Sequence, residues 1–387
     1  MNDFSFSLPT RIHFGASCLD NLPGEVAKYG KRVMLVYGKE SIKKNGIYQK
    51  IIEKLSDCEL VLDHGGVQPN PLMSFDHLGI KKAIDNNINL IIGVGGGSAM
   101  DSAKAIAVGV KNGGDLWKIH LGERKIEGAL PVITICTLPA TSSESNIWFV
   151  FTNDENNYKV GLGSELVRPK AAFMNPEFTL SLPTQYTAYA AIDVLAHITE
   201  AYFAQKEEMP VNFRMAEAVS RVIIDSTNKI MLEPMSLEAR SDFMWAANIA
   251  FNGILACGYA PPRFYAHKTG HPLSSCFGVP HGATIAIMMP AVLKHYRKAY
   301  EKRLAEYGRG VFGITEQEDS AAADKCVESI LAWYKQLGAP MSFANAGLTD
   351  VNIDDLADQV MDVAGAIYSG GREEVIELYK MSLGNGK

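Results

Sequence analysis

An apolar run at residues 89–94 (NLIIGV) leads directly into Gly95-Gly96-Gly97-Ser98, and a helical pattern follows at 99–110. A buried strand that turns through glycine into a helix restricts the chain to few folds, because such a strand needs cover on both faces. Related runs stand at 32–37 (RVMLVY), 60–63 and 131–137 (PVITICT), with helical spacing between them at 42–55 and 75–87. This alternation predicts an α/β domain with a mostly parallel sheet and helices on both faces. After residue 182 the strand signals fade. Helical patterns take over at 187–204, 211–232, 237–257, 283–295 and 319–337. The expected organisation is an α/β domain over 1–182 and an all-α domain over 183–387, parted near Pro183.

Composition narrows the function classes. A net charge of -6 over 387 residues argues against a nucleic-acid binder, which would carry a basic patch. The longest apolar stretch of the C-terminal half, around 285–293, is too short to span a bilayer. The first residues show no basic region followed by an apolar run, so a cytoplasmic address is expected. Six cysteines without a CxxC pair are expected to be reduced thiols.

Three glycines in a strand–helix turn let backbone N–H groups approach a phosphate, and the helix N-terminus adds partial positive charge. Ser98 supplies a hydroxyl, and Asp101 lies in the first helical turn. The segment is not GxGxxG and follows a later strand, so a plain tight turn is the other reading. Residues 137–145 (TLPATSSES) place five hydroxyl side chains and a glutamate just after a strand, where ligands of open α/β sheets bind. A loop capping a helix through Ser142 or Ser143 would look the same.

A second constellation lies in the helical half. Asp193 and His197 are four residues apart in a helical pattern, hence on one face. His267, His271 and His281 fall within fifteen residues, in a protein with nine histidines. Imidazoles with one carboxylate suit Fe(II) or Zn(II). Capping or core histidines are the alternative, and spacing does not decide which of the four histidines would bind.

Taken together, GVQPNP at 66–71, GGGSAMDSAK at 95–104, TLPATSSES at 137–145, IDVLAH at 192–197 and the histidine segment 267–282 resemble the iron-containing (group III) alcohol dehydrogenases. The likeness runs over essentially the whole chain, nearest to the NADP(H)-dependent butanol dehydrogenase and aldehyde reductase branch. It implies a dehydroquinate synthase-like architecture: a nucleotide-binding domain, a helical metal-binding domain and a cleft between them. It also implies a homodimer formed through the N-terminal strand, which the alternation of Phe4, Phe6 and Leu8 fits. The implied metal ligands are Asp193, His197, His267 and His281. His271 becomes the catalytic histidine facing nicotinamide and substrate. The implied cofactor residues are Asn70, Gly95, Gly96, Gly97, Ser98, Asp101, Thr137, Thr141, Ser142, Asn146 and the ribose-contacting Lys159. Gly38, Lys39 and Ser41 after the second strand favour NADP(H) over NAD(H), while Glu40 keeps NAD(H) open.

The implied reaction is hydride transfer between NADP(H) and a small to medium primary alcohol or aldehyde, with one divalent ion, Fe(II) or Zn(II). A glycerol-type polyol dehydrogenase and a non-catalytic cofactor- or metal-binding protein are the competing readings. A dehydroquinate synthase-like lyase would need a Lys/Arg cluster that the metal segments lack. Two features depart from the family pattern: Ser142 stands where glycine is usual, and Trp148, Phe149 and Phe151 form an aromatic patch expected to be core.

Overall fold

The structure, a computed structural model, describes residues 1–384. Contacts divide it into two compact units. An α/β unit comprises residues 7–182 with 235–248, and a helical unit comprises 1–6, 183–234 and the described residues from 249 onward.

The α/β unit carries β1 (Arg11–Phe14), β2 (Arg32–Tyr37), β3 (Leu60–Gly65), β4 (Leu90–Gly95), β5 (Val132–Cys136), β6 (Trp148–Asn153), β7 (Tyr158–Gly163) and β8 (Ala171–Met174). Its helices are α1 (Leu22–Val26), α2 (Ser41–Lys44), α3 (Ile47–Lys54), α4 (Met73–Asp85), α5 (Gly97–Lys111) and α6 (Leu116–His120). Six strands form one wholly parallel sheet in the order β1-β8-β5-β4-β2-β3. Every residue of β4 and β5 is buried, as strands covered on both faces require. β6 and β7 form a separate antiparallel hairpin.

The remaining helices are α7 (Thr184–Phe203), α8 (Pro210–Leu232), α9 (Leu237–Phe251), α10 (Tyr265–Phe277), α11 (His281–His295), α12 (Glu301–Phe312), α13 (Asp319–Gln336), α14 (Ile353–Ala364) and α15 (Gly371–Ser382). The units differ from a single cut at 182/183 in two places. Residues 1–6 join the helical unit, where the Asn2 N–H donates to the Gly258 carbonyl at 3.0 Å. Most of α9 joins the α/β unit, because Met244 packs with Met100, Cys136 and Met174.

Several local expectations change. The single helix expected over 42–55 is two, α2 and α3, broken at Gly46 in a left-handed conformation (φ 78°). The helix expected over 237–257 ends at Phe251, where the Asn252 side chain accepts from the Ile254 N–H and Gly253 turns at φ 109°. Among the described residues, 1–10 form no strand within the single chain, so Phe4, Phe6 and Leu8 precede β1. The patterns also left β1, β6, β7, β8, α1, α6, α10, α12, α14 and α15 unassigned. In α10, Gly270 and Pro272 interrupt the helical signal.

Two glycines let the helices of the histidine segment approach closely. A Cβ on Gly282 of α11 would lie 2.1 Å from the Tyr189 carbonyl oxygen of α7. One on Gly270 of α10 would lie 2.8 Å from Thr284 Oγ1 of α11. Gly282→Ala must therefore push α11 off α7. The expected loss is about 1–3 kcal/mol of stability, read as a lower denaturant midpoint. An unchanged midpoint would show that the two helices have slack.

Candidate active site

Parallel strands end on a common edge. The registers Tyr37↔Gly65, Tyr37↔Val94, Gly95↔Cys136 and Cys136↔Met174 set the strand ends level. The loops at 38–41, 66–71, 95–98 and 137–146 therefore leave from one side of the sheet. The chain passes from β2 outward to β3 and then returns to β4 on the other flank of β2. That reversal opens a crevice at the carboxyl ends of β2 and β4, the place where open α/β sheets bind nucleotides.

The glycine run is shaped by its neighbours. A Cβ on Gly95 (φ 151°) would meet Ala99 Cβ at 2.8 Å; on Gly96, Leu138 Cβ at 3.1 Å; on Gly97, Thr141 Oγ1 at 2.8 Å. A side chain at position 95 or 97 would force a neighbour to shift, and α5 starts at Gly97, so its first N–H groups have no partners inside the helix. Its residues fit a pyrophosphate. The Thr137 N–H donates to the Gly95 carbonyl at 2.9 Å, which ties the 137–146 loop to the turn. Asn70, at φ 60° between two prolines, accepts from Lys159 Nζ at 2.7 Å. Lys39 and Ser41 are exposed beside Gly38.

Three of the expected cofactor residues face inward. Asp101 accepts from Ser143 Oγ at 2.6 Å and from the Val150 N–H at 3.0 Å. The Ser142 hydroxyl donates to the Ala247 carbonyl at 2.7 Å. Asn146 donates to the Thr141 carbonyl at 2.8 Å and accepts from the Trp148 N–H at 3.0 Å. These side chains hold the loop that borders the crevice. The residue that organises them, Lys104, is fully buried. Its Nζ donates to Ser143 Oγ and the Trp148 carbonyl, both at 2.8 Å, and to the Asn146 carbonyl at 3.1 Å. Burial pulls its ammonium down to about 8, although Asp101 and Glu144 oppose the shift. Lys104 was visible as a second charge on the buried part of this helix, three residues after Asp101. The aromatic patch splits by strand alternation: Phe149 and Phe151 are core, and Trp148 is exposed.

In the helical unit, α7 presents Asp193 and His197, α10 presents His267 and His271, and α11 begins at His281. Asp193 Oδ1 lies 3.4 Å from His267 Nε2, 3.5 Å from His281 Nε2 and 3.9 Å from His197 Nε2. Donors ~2.1 Å from one cation in tetrahedral array stand ~3.4 Å apart. Neither Asp193 Oδ1 nor His267 Nε2, both buried, has a hydrogen-bond partner among the described residues. The ligand atoms of Asp193, His197 and His267 lie within 4.8 Å of one another. These residues fit a single divalent ion. Burial works against the Asp193 carboxylate, but the neighbouring histidines outweigh it and hold its pKa well below the usual range. Burial drives His197 down to about 4. It also depresses His267, but Glu200 and Asp193 overcome that and raise the group to about 9. The His271 ring centroid is 5.7 Å from that of His281. Phe251 stacks on His197 at 4.3 Å, and Phe264 meets His267 edge-on at 5.3 Å. Glu200, three residues past His197, was not singled out from sequence; its carboxylate bonds His267 Nδ1.

The profile of the Iron-containing alcohol dehydrogenase family matches residues 9–176, and that of the Fe-containing alcohol dehydrogenase family, C-terminal, matches 187–383. The chain belongs to the iron-containing alcohol dehydrogenase family. It is 34% identical over 388 residues to the probable NADH-dependent butanol dehydrogenase 1 of Bacillus subtilis (strain 168), covering 99% of this chain and 100% of that one. It is 30% identical to the NADPH-dependent aldehyde reductase YqhD of Escherichia coli (strain K12), covering 96% and 100%. The crystal structure of NADH-dependent butanol dehydrogenase A from Thermotoga maritima superposes with a TM-score of 0.93 at 32% identity, covering 99% of each chain.

Within this family member the Asp101–Lys104 network should matter most to the loop. Asp101→Ala removes the acceptor of Ser143 and Val150 and leaves Lys104 buried beside one carboxylate fewer. A loss of about 3 kcal/mol is expected, measured by urea unfolding. A change under about 0.5 kcal/mol, the scale of an ordinary surface substitution, would refute the role.

Proposed function

We propose that this protein is a metal-dependent NADP(H) alcohol dehydrogenase acting as an aldehyde reductase on small to medium primary alcohols and aldehydes. The observation that carries the reading is the convergence of three imidazole Nε2 atoms on one buried carboxylate oxygen. The printed activities of the full-length relatives support it. When bound, the ion supplies Lewis acidity to the substrate oxygen and the nicotinamide supplies or accepts hydride.

The chain's residues do the rest. Asp193, His197, His267 and His281 hold the ion. Asp193 contributes one negative charge, so a divalent ion keeps a net positive field for a developing alkoxide. The glycine turn and Ser98 bind the pyrophosphate, while Asn70 and Lys159 steady the ribose. Thr137 and Thr141 border the nicotinamide, on a loop that Asp101, Ser142 and Asn146 support from behind. Phe251 and Phe264 exclude water beside the histidines and suit an alkyl chain better than a polyol. His271 exchanges the proton of the substrate hydroxyl.

NADP(H) is preferred in this reading. Gly38 leaves room for a 2′-phosphate, exposed Lys39 and Ser41 can meet it, and the Lys43 ammonium stands 3.7 Å from the Glu40 carboxylate that would repel it. The chain is also proposed to work as a homodimer.

Four measurements test these statements. Metal analysis should find one divalent ion per chain, and butanal should be reduced with a higher kcat/KM for NADPH than for NADH; the reverse ratio would overturn the cofactor preference. His267→Ala should weaken metal binding by more than the ~100-fold that loss of an outer-sphere partner costs, with activity lost in parallel. Full turnover by a metal-free variant would refute the reading. His271→Ala should keep its metal but lose ~10²–10⁴-fold in kcat; an unaltered kcat would remove His271 from the mechanism.

A further inference from the structure

Glu200 is buried on α7, one turn beyond His197. Its two carboxylate oxygens do different things on the same neighbour. Oε1 accepts from the Ala266 N–H at 2.7 Å, and Oε2 bonds His267 Nδ1. Ala266 lies in the first turn of α10, whose N–H groups have no partners inside the helix. The residue before that turn, Phe264, is left-handed (φ 53°, ψ 50°) and provides no side-chain cap. A carboxylate from α7 therefore caps α10 and at the same moment grips the first side chain that α10 sends toward Asp193.

We infer that Glu200 is a positioning residue of the metal centre: it fixes the His267 ring with the proton on Nδ1, so that Nε2 is the donor atom. The inference rests on the proposed metal site and deepens it. The geometry is selective. His267 Nε2 faces Asp193 Oδ1 and has no hydrogen-bond partner among the described residues, whereas Nδ1 is committed to Glu200. A neutral imidazole has one protonated nitrogen and one lone pair, so an acceptor at Nδ1 decides which nitrogen is available. Outer partners of this kind also raise the basicity of the ligand. Charge points the same way. Glu200 is separated from the ion by the His267 ring, so it offsets part of the positive charge that Asp193 leaves, in a region where isolated charge is costly. A cap alone would need only the Oε1 contact; the Oε2 contact goes beyond it.

The test uses the full-length chain, stripped of metal and titrated with Co(II), whose d–d absorption reports ligand type and geometry. Glu200→Ala should bind Co(II) ~10–100-fold more weakly than the parent and show an altered d–d spectrum. Glu200→Gln, which keeps an acceptor oxygen but loses the charge, should fall between the two. A purely structural cap would lower the unfolding midpoint of the metal-free protein and leave Co(II) affinity and spectrum as in the parent. That result, in Glu200→Ala verified as folded by circular dichroism, overturns the inference. If Glu200→Ala does not fold, Glu200→Gln decides by the same two readouts, and parent-like affinity and spectrum overturn it. A parent chain that takes up no Co(II) would instead refute the metal site itself.

Discussion

Burying a carboxylate is costly unless positive charge comes with it, and Asp193 is only 3% exposed. Much of the helical unit follows from this constraint. α7 brings Asp193 and His197 on one face. α10 enters with His267, and α11 starts at His281 immediately after Pro280, whose extended backbone aims that first residue across at α7. With side chains at positions 270 and 282, α11 could not approach α10 and α7 so tightly. The same centre reaches further out through Glu200, so the outer contacts of one histidine double as the anchor of a helix.

The α/β unit solves a different problem with different means. An anion is to be met by backbone N–H groups, so what matters is that side chains are missing from Gly95, Gly96 and Gly97. A cation, in contrast, has to be met by side chains that arrive from distant parts of the chain. Backbone sites are local in sequence, and side-chain sites are not. That difference governs how each could be recognised.

The strands at 32–37, 89–94 and 131–137 were readable because parallel strands buried on both faces are continuous apolar runs. The glycine turn was readable because its geometry is written in consecutive residues. Asp193 and His197 could be placed on one face by helical spacing alone. That His267 and His281 join them depends on α10, which propensity does not reveal: its Gly270 and Pro272 look like a loop and are tolerated only in the packed unit. Without that helix, spacing could not rank His281 against His271 as a ligand; only the family resemblance distinguished them, and in the fold His281 Nε2 lies 3.5 Å from Asp193 Oδ1. Glu200 had a signal, at i+3 from His197, but a glutamate on a helix is common enough that only the contact to His267 gives it meaning. Lys104 and Met244 were missed for a like reason. Their partners lie 39 and 144 residues away, at Ser143 and Met100, so the charge of Lys104 within its helix could be seen but what it binds could not.

Ser142 shows how a motif can preserve its shape while changing its letters. Where the family usually has glycine, this residue sits at φ 50° and is fully buried. A left-handed conformation costs a side-chain-bearing residue roughly 1–2 kcal/mol. The Ser142 hydroxyl donates to the Ala247 carbonyl at 2.7 Å, and a hydrogen bond of that kind returns about 0.5–1.5 kcal/mol. The two terms nearly cancel, so the turn survives the loss of glycine. The acceptor belongs to α9, the helix that the sequence assigned to the other domain. Its Asn248 also donates to Glu144 and Ser145 of the same loop, both at 2.8 Å. The loop that borders the nucleotide crevice is thus held from below by α5 and from a distant stretch of chain by α9. The segment at 235–248 belongs to the α/β unit because this loop needs it there.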